Sequence, residues 1–303
     1  MDIYTLDLNF QGIPKTIAAY LIVGSAGPVL VETGPGSTRE ILREQLQQHG
    51  YGVEDIRHVL VTHIHLDHAG AAGWLAQQGA QIYVHHVGAP HLIDPSRLLQ
   101  SAERIYGEQM GPLWGETLPA PAGKVTPLSD ADVVEIVNLK FTALDTPGHA
   151  WHHHCFRLGD VGFTGDAAGI RILDHPLVDV PAPPPEFKLE VWHKTVNRLS
   201  QEKFQAIYPT HFGLLHDVDH QLSVLHDLLG EAAAFVCRRM EQGEDRDQIV
   251  EEYVAWNFER AQAAGLDVAD FRYYEVANPH YMSVDGIMRY WERKTAKEAS
   301  DTG

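Results

Sequence analysis

Cysteine is almost missing from this sequence: Cys155 and Cys237 are its only two. They are too few for a disulfide framework and too distant in sequence to suggest a clip, which fits a reducing compartment. Positive charge is scarce as well, with 23 Lys and Arg against 41 Asp and Glu and a formal charge of −18 spread along the chain. A surface of that sign repels phosphate backbones and argues against a nucleic-acid partner. Long apolar runs are absent: no stretch could cross a bilayer, and residues 1–12 lack the basic segment and apolar run of an export signal. The expectation is a cytoplasmic protein acting on a small-molecule substrate, as a monomer or a homo-oligomer, away from membranes. No internal repeat is visible.

What the chain does have is apolar content, 44% of 303 residues, enough for a substantial core. It also has 19 histidines, the residue that most often offers zinc or iron a neutral nitrogen. Its patterning alternates strand and helix. Residues 16–23 and 28–32 read as strands joined by Gly24-Ser25-Ala26-Gly27, 38–49 as an amphipathic helix, 58–62 as a buried-type strand, 68–78 as a helix and 81–85 as a strand. The less regular stretch 90–123 holds one helix, 96–109. Strands return at 133–137, 140–144, 153–158 and 161–164; a Pro-rich segment at 177–185 cannot be a central strand; a helix at 186–200 and a last strand at 204–208 follow. From 216 to 297 the pattern is helical. The expected division is a layered α/β domain over 1–215, with reactive groups on loops at strand ends, and a helical appendage over 216–303 near the mouth of the site.

Four potential metal ligands fall within six residues in Thr62-His63-Ile64-His65-Leu66-Asp67-His68-Ala69-Gly70, at the end of an apolar strand. His63 and His65, two apart, project the same way from an extended segment and can hold one metal, while Asp67 and His68 belong to the following turn. Asp67 alone would pass as a helix cap; with three histidines beside it, it points to a cation. Three further turns each present one donor. They are Asp145-Thr146-Pro147-Gly148-His149 after a strand, Phe163-Thr164-Gly165-Asp166 at a strand end, and Tyr208-Pro209-Thr210-His211-Phe212-Gly213.

In this order the elements resemble the metallo-β-lactamase superfamily, over roughly residues 15–215. The resemblance implies an αββα sandwich of two mixed sheets with helices outside. It also implies a ligand set: His63, His65 and His149 on one metal, Asp67, His68 and His211 on the other, and Asp166 bridging. Two positions depart from the family pattern. Glu32 stands where Asp is frequent before Thr33-Gly34, and Ala71 where a second Gly is frequent after Ala69-Gly70. Neither is a ligand; both bear on the hydrogen bonding behind the ligands and on the loop conformation.

Two divalent metals roughly 3.5–4 Å apart share a water and lower its pKa toward neutrality, giving a bridging hydroxide that attacks a carbonyl or phosphorus centre. The expected cofactors are two divalent ions per chain, zinc ahead of iron and manganese. Asp67 is also the catalytic candidate, orienting the hydroxide or protonating the leaving group. The organisation with C-terminal helices is similar to the glyoxalase II branch, which makes a dinuclear hydrolase of an ester-like bond the leading expectation, a thioester such as acylglutathione first and a lactone second. The acidic chain shows no cationic cluster near the appendage to meet glutathione's carboxylates. The runner-up is an oxidoreductase resembling the persulfide dioxygenases, with His63, His149 and Asp166 alone around a single mononuclear iron.

In the run His152-His153-His154, alternate side chains of a strand face opposite ways, so at most one or two can face the site. His85, His86, His91, His216, His220 and His226 read as pocket-rim or surface residues. Trp151, Tyr273, Tyr274, Tyr281 and Trp291 read mostly as helical-core packing, and Asn278-Pro279-His280-Tyr281 as a substrate-shaping break in the helical run.

Overall fold

The computed structural model describes residues 1–173 and 175–301. They form two compact units. The first holds Met1–Thr146, His152–Gly165 and Phe204–His216; the second holds Pro147–Trp151, Asp166–Lys203 and the chain from Asp217 onward. Segment 166–203, which the sequence reading assigns to the first domain, thus groups with the C-terminal helices.

The first unit contains two mixed sheets. One runs β1 (Asp2–Asp7), β2 (Ala18–Gly24), β3 (Gly27–Val31), β4 (His58–Leu60), β5 (Gln81–His85) and β6 (Val125–Leu128) in that spatial order. Its first three strands are antiparallel, with Gly24 opposite Gly27 closing the expected hairpin, and β3 to β6 are parallel. The other sheet contains β7 (Val133–Ile136), β8 (Leu139–Asp145), β9 (His154–Leu158), β10 (Val161–Gly165) and β11 (Ala206–Pro209), in the order β11-β10-β9-β8-β7, with only β10 and β11 parallel. Side chains alternate across a strand, so Tyr20 and Ile22, Val29 and Val31, and Tyr83 on the first sheet share one buried core with Phe141 and Ala143, Phe156 and Leu158, Phe163 and Tyr208 on the second.

The helices of this unit are α1 (Arg39–Gln48), α2 (Leu66–Ala69), α3 (Ala72–Gln77), α4 (Ala89–Ile93), α5 (Ser96–Tyr106) and α6 (Met110–Trp114). The single helix expected over 68–78 is therefore two. The Ala71 amide bonds the Gly34 carbonyl at 3.0 Å instead of continuing the helical ladder. Gly70 lies so close to the same loop that a Cβ would sit 2.9 Å from Pro35 Cα. The path of the chain past the ligand residues is thus set by Gly34, Pro35 and Gly70.

The second unit contains α7 (Leu189–Gln201), α8 (Val218–Gln242), α9 (Arg246–Ala263), α10 (Val268–Ala277) and α11 (His280–Asp301). Its interior is built on Trp192, Leu225, Leu229, Val236, Ile249, Tyr253, Val284 and Ile287, all buried. No helix among the described residues is long and apolar enough to cross a membrane.

Candidate metal centre

β4 ends at Leu60, and the chain then carries His63 and His65 out of the sheet before α2 begins at Leu66. His63 Nε2 and His65 Nδ1 lie 2.9 Å apart, as two donors aimed at one spot would. One turn later, His68 is fully buried and its Nδ1 lies 3.1 Å from Glu32 Oε1. His211, two residues beyond β11, bonds the Thr16 carbonyl through Nδ1 at 2.6 Å. With Nδ1 engaged on both rings, both Nε2 atoms turn to Asp67: His68 Nε2 is 3.5 Å and His211 Nε2 3.4 Å from Asp67 Oδ2. Asp67, His68 and His211 each offer one ligand atom, all within 4.8 Å of one another.

This donor set fits a divalent transition metal. The Nδ1–H of His211 is donated to a carbonyl and the Nδ1 of His68 is held by a carboxylate, the arrangement that orients metal-binding imidazoles and makes them more basic. Imidazole nitrogen with carboxylate oxygen suits zinc, iron and manganese, whereas magnesium and calcium favour oxygen alone.

Glu32, noted in the sequence as a departure, is the hub behind these ligands. It lies one residue past β3, buried, and accepts hydrogen bonds from Thr62 Oγ1, from Thr62 N at 3.3 Å and from Thr210 Oγ1 at 3.1 Å in addition to its contact with His68. Its φ of 65° is unusual for a residue with a side chain and costs on the order of 1 kcal/mol; those contacts hold it there. The same side chain therefore ties the ends of three strands, β3, β4 and β11, to one imidazole.

His152 and His153 join this cluster while His154 does not. The His153 ring stacks 4.7 Å from His63, with its Nδ1 2.7 Å from Thr146 Oγ1, and the His152 ring lies edge-on to His65 at 5.5 Å. His154 begins β9 and turns to Asp145. The reading of His85 as a rim or surface residue is corrected: it is 3% exposed, because both faces of β5 are covered and its ring packs 4.4 Å from that of His154.

The second unit carries the other two donors. His149 bonds the Pro181 carbonyl through Nδ1 at 2.7 Å, and its Nε2 lies 3.3 Å from Asp166 Oδ2. Both turns are held by Trp192 on α7. A Cβ on Gly148, whose φ is 134°, would lie 2.4 Å from the Trp192 Cβ, and the indole N–H donates to the Ala167 carbonyl at 2.9 Å. Sequence reasoning missed Trp192, Thr16 and Pro181; the latter two act through backbone carbonyls and leave no side-chain signal.

The aromatics of the appendage are absorbed within their own unit: the Tyr274 hydroxyl donates to Leu177 O at 2.9 Å and Trp291 Nε1 to Ala233 O at 2.9 Å. Trp151 is 46% exposed and outside that packing. The break at Asn278 is also spent locally, its Nδ2 donating to Asp179 Oδ2 at 2.8 Å and to Val180 O at 3.1 Å.

A double sheet with histidines and carboxylates at its strand ends defines a metal-binding α/β class, and residues 12–211 match the profile of the Metallo-beta-lactamase superfamily. The chain belongs to that superfamily. A probable metallo-hydrolase of Methanocaldococcus jannaschii is 25% identical over 210 residues, 67% of this chain and 91% of the relative. An atrochrysone carboxyl ACP thioesterase of Aspergillus fumigatus is 24% identical over 207 residues, 68% of this chain and 39% of that protein. The crystal structure of a metallo-beta-lactamase family protein from Thermus thermophilus matches with a TM-score of 0.70 at 20% identity, covering 97% of this chain and 94% of that one. The fold is thus the αββα sandwich with C-terminal helices.

Proposed function

We propose that the chain is a dinuclear metal-dependent hydrolase of an ester-like bond, a thioester first and a lactone second. The observation that carries this reading is the convergence of the His68 and His211 Nε2 atoms on one oxygen of Asp67, at 3.5 and 3.4 Å. In this reading Asp67, His68 and His211 would hold one ion, His63, His65 and His149 the other, and Asp166 would serve both. When bound, such a pair acidifies a water toward neutral pKa and polarises the bond under attack.

The chain's own residues do the rest. The Thr16 and Pro181 carbonyls hold His211 and His149 with Nε2 forward, and Glu32 does so for His68. The Asp67 side chain is 21% exposed, whereas those of His68 and His211 are buried. Asp67 is therefore the group of the three placed to exchange a proton with a leaving group. The thioester preference is supported by the thioesterase name of the Aspergillus fumigatus relative, and the charge of −18 disfavours an anionic acylglutathione.

Metal analysis paired with acyl-thioester hydrolysis tests the reading. Two divalent ions lost together on Asp166→Ala, with loss of hydrolysis, are the expected result. One iron per chain with oxygen consumption on a persulfide would replace it by the oxidoreductase alternative.

A further inference from the structure

The inter-sheet core of the first unit ends unusually. On three strands the rows of core side chains finish in metal-ligand types: Tyr83 is followed by His85 on β5, Phe141 and Ala143 by Asp145 on β8, and Leu158 and Phe156 by His154 on β9. Asp145 and His154 are direct cross-strand partners in one sheet; His85 comes from the other. His154 Nε2 lies 2.7 Å and His85 Nε2 3.4 Å from the same Asp145 Oδ1, and the two rings are 4.4 Å apart. The three ligand atoms fall within 4.8 Å of one another. We propose that His85, Asp145 and His154 form an accessory site for a single first-row divalent ion such as zinc, which clips the two sheets together. It shares no residue with the candidate metal centre and does not depend on the hydrolase reading.

The chemistry fits. Two imidazoles and one carboxylate are a common zinc ligand set, and the Asp145 side chain, 33% exposed, leaves the outer positions to water. Burial lowers the His154 pKa and keeps that ring neutral. Burial also works to raise Asp145, but the hydrogen bonds from His154 and His85 outweigh it and hold the group well below the usual carboxylate range. At neutral pH the site therefore presents a neutral His154 ring and a carboxylate, the protonation states a cation needs. Asp130, whose Oδ1 accepts from the Asp145 amide at 2.9 Å, adds a second negative charge beside the site.

Both rings must change tautomer: His154 donates Nε2–H to Asp145 Oδ1, so an ion on that nitrogen moves its proton to the buried Nδ1. The Val87 amide donates to His85 Nδ1 at 3.1 Å, so in the neutral ring the proton sits on Nε2, facing Asp145. An ion on Nε2 moves that proton to Nδ1 and turns the Val87 amide to solvent. Val87 is 44% exposed, so water replaces the lost acceptor. The exchange is a tautomer shift and releases no proton.

The test compares the full-length wild type with D145N and H85Q, each stripped with chelator, reloaded with zinc, dialysed and assayed for zinc per chain. D145N keeps a hydrogen-bond acceptor for His154 in the Asn carbonyl. Each variant is expected to bind one zinc fewer than the wild type and to lose part of the zinc-dependent rise in Tm, since an ion held only by the folded state stabilises it. Equal zinc content in all three proteins would overturn the proposal, as would a fall in Tm of the same size with and without chelator, the mark of a hydrogen-bonded pin. If D145N fails to fold, H85Q carries the count. The one-ion difference survives even if the candidate metal centre takes up nothing, so the two readings fail separately.

Discussion

Two buried imidazoles, one in each unit, meet opposite surroundings. His211 gives Nδ1 to a neutral backbone carbonyl, and its Nε2 shares the neighbourhood of Asp67 with a second imidazole, at 3.4 and 3.5 Å. His280 in the helical unit has a carboxylate at each nitrogen: Asp179 Oδ2 lies 3.3 Å from Nε2, and Glu275 takes Nδ1. Asp179 is itself supplied by the Asn278 side chain at 2.8 Å and the Val180 amide at 2.9 Å. Burial alone would lower the His280 pKa, but Asp179 and Glu275 outweigh it and raise it to about 9. His280 is thus a buried cation between two carboxylates, while His211 has one carboxylate and one neutral carbonyl at its nitrogens. The same side chain, equally hidden, thus sits in a closed circuit of carboxylates at His280 and in a more open one at His211.

Breaking the open arrangement should have the largest effect. Asp67→Asn is expected to lower turnover on a thioester by roughly 10²–10⁴-fold, with metal content measured in parallel; undiminished turnover with metal retained would remove Asp67 from the chemistry.

The closed arrangement should show itself in pH dependence instead. A folded pKa raised from 6.5 to about 9 contributes stability that is fully present below the unfolded value and fades as pH climbs through the folded one. His280→Gln should therefore cost on the order of 3 kcal/mol at pH 6, progressively less between pH 6.5 and 9, and almost nothing above that. Urea midpoints across that range measure it, and a pH-independent difference would show that the ring acts by packing alone.

The smallest change sharpens the comparison from behind. Glu32→Gln keeps the shape but loses the carboxylate that receives Thr62, Thr210 and His68. Metal affinity by competitive chelation is expected to fall about 10–100-fold. An unchanged affinity would mean that His68 is oriented by its packing.

The close-packed part of this cluster is legible in the sequence. His63, His65, Asp67 and His68 are close in sequence, so strand parity and a turn suffice to gather them, and strand ends announce Asp166 and His211. The partners that orient the rings were not legible, because Thr16 and Pro181 contribute carbonyls and meet His211 and His149 only through tertiary contact. Two strands escaped for local reasons. β1 mixes Asp2 and Asp7 with partly exposed residues, and β6 carries Pro127 in a strand at the edge of its sheet, the one place where a missing N–H is tolerated. The burial of His85 is not legible because a three-residue apolar lead-in, Ile82-Tyr83-Val84, gives its parity but not the depth at which the facing sheet stops covering it.

Trp192 has a mechanical consequence. Its backbone and Cβ wedge the Gly148 turn while its indole grips Ala167, so the turns of His149 and Asp166 are fastened to the same residue. The 3.3 Å gap between the two donors therefore hangs on one side chain from a helix neither of them belongs to.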